Sequence, residues 1–192
     1  MPIVKTHAFS EFADLFFWDF KRMDNVNYNF QILEMLSRLK KEKNNSPLFN
    51  KSIVLQLISI IECILYDLIR RIAEHSHERI PFLDPEAITH TKSKTLDEFN
   101  AIISHIKKHN YLDVPKDGKL YVELESLRIL RNRIHIQNHP KKLDKDECNI
   151  WTEANIVLAG RVLRDVVDVL ISKYPRPGRT LVSISGFPNP WK

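Results

Sequence analysis

Glycine is scarce in this chain, with four in 192 residues. Leucine and isoleucine abound instead. A sheet-rich fold with many tight turns needs more turn formers, so the composition argues against one. Cysteine is nearly missing as well. Cys63 and Cys148 stand far apart in helix-like segments, which is neither a disulfide framework nor a CxxC metal knuckle, and both read as reduced thiols. The opening Met1-Pro2-Ile3-Val4-Lys5 lacks an apolar signal core, and neither repeats nor low-complexity tracts occur. The most apolar stretch, Ile53 to Ile72, is interrupted by Gln56, Glu62 and Asp67. That pattern suits a buried helix rather than a membrane span. These absences point to a cytoplasmic protein with no membrane partner.

What is present suits a folded domain. Hydrophobic residues make up 43% and charged residues 28%, near globular norms. The length suits one domain with a core that needs no disulfide or metal. A net charge of +5 tilts the chain toward polyanionic partners without specifying one.

Periodicity predicts an all-α, up-and-down bundle of about five to six helices with an irregular C-terminal tail. A first helix is expected over Phe9 to Met23, a second over Val26 to Lys43 and a long apolar third over Leu48 to His77. Pro81, Pro85 and the polar run Thr89 to Lys94 read as a loop. Thr95-Leu-Asp-Glu98 reads as a capping box that opens a fourth helix to Asn110. A fifth is expected from Leu120 to Asn138, stopped by Pro140, and a last from Asp144 to Lys173. The chain thus divides into N-terminal helices (1–46), a bundle (47–173) and a tail (174–192).

The informative segment is Glu125 to His139. On a helix turning about 100° per residue, Arg128, Arg131, Asn132, His135 and His139 fall within an arc of about 100°. Leu127, Leu130 and Ile134 form an adjacent apolar arc that anchors it. Arg133 points away. Such a set suits cleavage of RNA without metal. The ribose 2′-hydroxyl attacks the neighbouring phosphate, and histidine can take or give the protons. A guanidinium matches the charge that builds on the phosphoryl oxygens. An amide such as Asn132 can orient the imidazole or hold a phosphate oxygen.

Arg131-Asn132 followed by His135, after a long apolar helix, resembles the Arg-Asn-x-x-x-His signature of HEPN domains. The resemblance covers roughly residues 48 to 173. Three residues separate Arg131 from His135, where four to six are usual in that family. Six separate Arg128 from His135, so either arginine can be the operative one. The resemblance implies a helical bundle, a homodimer whose two motifs share one cleft, and metal-independent endoribonuclease activity on single-stranded RNA. It also implies a toxin or defence setting with a possible antitoxin partner, and no cofactor. Other members of the family are non-catalytic modules that bind RNA, a nucleotide or a protein, which is the alternative reading. HEPN-like helices often carry an acidic residue near the position of Glu62. Glu62 lies among Leu55, Ile58, Leu65 and Ile69, and a carboxylate in an apolar arc needs a partner. Arg128 or Arg131 is the expected one.

Rival readings concern the other histidines and the aromatics. His105-x-x-x-His109 and His135-x-x-x-His139 each have the spacing to present two imidazoles to one ion. Without an obvious acidic or cysteine ligand beside them, no metal ligand is assigned. The aromatic run Phe12 to Phe20 reads as core or as an interaction surface, and less readily as a platform for bases. Lys141 and Lys142, just beyond the motif, are placed to steer a phosphate backbone.

Overall fold

The computed structural model describes residues 20–74, 83–134 and 147–174. These residues form α1 (Phe20–Glu42), α2 (Asn50–Glu74), α3 (Pro85–Lys92), α4 (Phe99–His109), α5 (Lys119–Arg131), the single turn α6 (Glu147–Ile150) and α7 (Glu153–Lys173). Short 3-10 turns at Pro47–Phe49 and Asn132–Ile134 complete them. There is no strand among the described residues. The chain is an all-α helical bundle.

The fold is organised around α2. Its residues Ile53, Val54, Leu57, Ile58, Ile60, Ile61, Ile64, Leu65, Leu68 and Ile69 are all buried. They take in more than one face of the helix, and a helix apolar around most of its circumference must be wrapped by others. The wrapping is done by α7 and α1, then by α3, α4 and α5, all of which pack on α2. With its 3-10 lead-in, this segment (Pro47–Glu74) is long and apolar enough to cross a membrane, yet most of its apolar window is buried inside the bundle. At one end Lys40 of α1 is buried. It donates to Asn50 Oδ1 at 2.7 Å and pairs with Glu153, while Asn50 donates to the Trp151 carbonyl at 2.9 Å. One lysine thus ties the end of α1 to the starts of α2 and α7.

The scarcity of glycine has a structural counterpart. The positive-φ positions among the described residues that are not glycine are Asn44, Asn45, Asn110 and Asp113. Asn and Asp tolerate that region better than other L-residues because their short side chains bond locally. Asn110 caps α4 in this way, its N–H reaching the Ile106 and Lys107 carbonyls. Gly118 is required for a different reason. A Cβ there would meet the Pro115 carbonyl oxygen at 2.7 Å.

Several expected boundaries are corrected. The helix placed at Val26 begins at Phe20 and ends at Glu42, so there is no break at Met23; residues 9–19 of the expected first helix lie outside the described residues. The segment read as a loop at Pro85 is helix α3. Asp84 accepts from the Glu86 N–H and Pro85 occupies the first turn, where its missing N–H costs nothing. The expected capping box does not form: α4 starts at Phe99, after Glu98, with no side-chain cap. The fifth helix ends at Arg131 rather than Asn138. The last is interrupted at Trp151–Thr152, before α7 begins at Glu153.

Candidate functional site

Two constellations stand out, at opposite ends of α5. Its buried residues Leu120, Tyr121, Leu124, Leu127 and Leu130 lock the helix against the core. That packing fixes where Arg128 and Arg131 emerge in its last turn. Arg131 meets Glu62 of α2 in a two-point fork, with Nε 3.2 Å from Oε2 and a terminal nitrogen donating to Oε1 at 3.2 Å. Arg128 is instead held within its own helix, Nε donating to Glu125 Oε2 at 2.7 Å. Of the two arginines weighed as partners for Glu62, the structure places Arg131 there. Burial pushes the Glu62 carboxyl up from its ordinary value, against the opposing pull of Arg131. Both cations also sit at the negative end of the helix dipole.

Asn132 is the C-cap of α5, its N–H reaching the Arg128 and Leu130 carbonyls, and a 3-10 turn follows. The single helical face drawn through Arg128, Arg131, Asn132, His135 and His139 is therefore broken at Asn132. His135, His139, Lys141 and Lys142 lie outside the described residues.

The second constellation was half visible in the sequence. His105 and His109 lie one turn apart on α4, and α3 brings His90 against them. Each ring offers one nitrogen, and the three nitrogens lie within 4.8 Å of one another. His90 Nδ1 and His109 Nε2 are 2.9 Å apart and share a hydrogen bond. The His90 and His105 rings stack, with centroids 5.2 Å apart. His105 is buried, and its Nε2 contacts the Thr91 hydroxyl at 2.8 Å. That hydroxyl also meets Tyr111 Oη at 2.6 Å and donates to the Ala87 carbonyl at 2.7 Å.

Burial, then His109, His90, Lys108 and Lys94, depress the His105 ring to about 4. Desolvation and the neighbouring cations lower His90 and His109 too, with Asp84 pulling His109 the other way. All three shifts favour the neutral ring. His90 is the residue that sequence reasoning missed, because its helix was read as a loop. The Asp84-Pro85 pair was the signal that could have found it.

An open cleft between α2 and the α3–α4 connection is lined by Tyr66, Arg70, Glu74, Lys94 and Asp97. Arg70 and Glu74 are paired across one helical turn, and the cleft gathers no further convergent chemistry. No family model, curated protein or solved structure matches the chain.

Proposed function

We propose that the chain is an RNA-directed, metal-independent endoribonuclease of HEPN type, cytoplasmic and acting as a homodimer. The observation that carries the reading is the Glu62–Arg131 fork. A carboxylate planted in the central helix holds a guanidinium, 45% exposed, at the end of α5, four residues before His135 in sequence. An arginine held in one orientation loses little entropy when it takes a phosphate, whose oxygens match its fork.

In this reading His135 removes the proton from a ribose 2′-hydroxyl, the 2′-oxygen bonds to phosphorus and the bond to the 5′-oxygen breaks. A second proton donor protonates that leaving oxygen, and a 2′,3′-cyclic phosphate and a 5′-hydroxyl remain. Arg131 or Arg128 neutralises charge on the phosphoryl oxygens. Asn132 orients the site, and His139, Lys141 and Lys142 extend it toward the RNA backbone. A second copy of the chain supplies the facing half of the cleft. The exposed Val122 and Ile129, seven residues apart on α5 and so on one face, support such a contact. A toxin or defence role with an antitoxin partner belongs to the same proposal and rests on the family resemblance alone.

One observation favours the non-catalytic reading. Both arginines already have carboxylate partners, Glu62 and Glu125, so a phosphate must compete with a carboxylate at either one. The test is incubation of end-labelled single-stranded RNA with the full chain in EDTA, beside His135→Ala and Arg131→Ala. The nuclease reading expects cyclic-phosphate ends from the wild type and about 10²–10⁴-fold slower cleavage by His135→Ala. RNA retained in a gel shift but uncut by the wild type would select the binding module instead.

A further inference from the structure

We propose that His90, His105 and His109 form a binding site for one divalent transition-metal ion of the zinc type, with a fourth position left for water or an anion. The cluster lies at the far end of α5 from Arg131. Tyr121, near the start of α5, donates to the Ile106 carbonyl of α4, and ten residues of helix from there to Arg131 span about 15 Å. The cluster is thus separate from the Glu62–Arg131 pair.

The geometry fits a metal in three respects. First, three imidazoles are a donor set that zinc, cobalt and copper ions prefer, whereas magnesium and calcium prefer oxygen. Three protein ligands with one open position is the arrangement of catalytic zinc sites. Second, the spacing needs little adjustment. Two nitrogens about 2.0–2.1 Å from a tetrahedral ion stand about 3.3 Å apart. The His90 and His109 nitrogens are at 2.9 Å, so an ion replaces their shared proton with a few tenths of an ångström of ring movement. The His105 ring is within 4.6 Å of His109, centroid to centroid.

Third, the buried ring is already oriented. With the Thr91 hydroxyl donating to the Ala87 carbonyl, its oxygen accepts from His105 Nε2–H, leaving His105 Nδ1 as the donor to metal. Ligating histidines characteristically have their other nitrogen held in this way. Tyr111 fixes Thr91 in turn through the 2.6 Å contact. The surrounding charge is mixed. Lys94, Lys108 and Lys116 act on the cluster as cations and Asp84 as the opposing anion. That cationic rim favours an anionic fourth ligand, such as hydroxide or phosphate, over a neutral one.

The test uses the full chain, freed of metal with EDTA and exchanged into clean buffer, then titrated with cobalt(II) and back-titrated with zinc. The expected result is one cobalt ion per chain with the visible absorption of a tetrahedral site, displaced by one zinc ion. His90→Ala, at a partly exposed position where helicity and melting can be verified, should bind at least about tenfold more weakly. Thr91→Val should weaken binding by about 10–100-fold, with Thr91→Ser restoring it. His135→Ala should bind as the wild type does. A folded wild type that takes up neither ion would overturn the proposal. So would undiminished binding by His90→Ala, or loss of binding in His135→Ala. Because the RNA assay runs in EDTA, its failure and the failure of this site are separate results.

Discussion

At the scale of single residues, Glu62 and His105 show how burial and charge compete. The Glu62 carboxyl is pushed up by burial more than Arg131 pulls it down, so desolvation offsets the attraction of the pair. A partly exposed ion pair contributes at most about 1 kcal/mol. Glu62→Gln should therefore change unfolding free energy by less than about 1 kcal/mol while slowing RNA cleavage, since the guanidinium loses its holder. Denaturant unfolding and the cleavage assay read the two effects separately. A large loss of stability with unchanged cleavage would make the fork structural.

For His105 the sign is set by a folded-state value of about 4 against an ordinary 6.5. The unfolded chain binds the proton more readily, so stability is complete above about 6.5 and is lost as pH falls toward 4. His90 and His109 are lowered in the same direction. In EDTA, the thermal midpoint should drop between about pH 7 and about pH 5, and His105→Gln should flatten that slope. A midpoint with the same pH dependence in both proteins would contradict the assignment.

At the scale of elements, the long apolar α2 was legible because its pattern leaves no ambiguity about burial. The ends were less so, for reasons that differ from helix to helix. Proline was read as a breaker at Pro85, although after Asp84 it is a helix starter. Thr95 and Glu98 have capping-box spacing, yet the chain stays non-helical through them and α4 begins beyond both. The helix expected to reach Asn138 stops at Arg131, where Asn132 keeps right-handed backbone and a 3-10 turn takes over. The histidine cluster was missed for the same reason as α3: two of its members share a helix and a visible spacing, while the third comes from the helix read as a loop. Asp84→Ala should remove the cap of α3 at a cost of about 1 kcal/mol, seen in thermal unfolding and as faster amide exchange within Pro85–Lys92. Unchanged exchange there would show that tertiary contacts alone hold α3.

At the scale of the whole molecule, one apolar helix wrapped by the others positions both constellations. The α2 helix supplies Glu62 to the end of α5, while α3 and α4 pack on α2 and bring the three histidines together. The all-α class followed from composition and periodicity, because burying α2 on most of its circumference requires a bundle. The candidate site was legible only as a pattern, since Arg131 can be placed by periodicity but its partner Glu62 cannot. The Glu62 pairing crosses 69 residues of sequence, and only the packing of α5 on α2 decides it.

The central claim is that an arginine held by Glu62 and the histidine that follows it cut RNA without metal. The most direct measurement is cleavage of end-labelled single-stranded RNA by the full chain in EDTA, with Arg131→Ala and His135→Ala alongside. The account predicts cyclic-phosphate products from the wild type and their near loss in both variants. Intact RNA with a verified, folded wild-type protein across several sequences would contradict it.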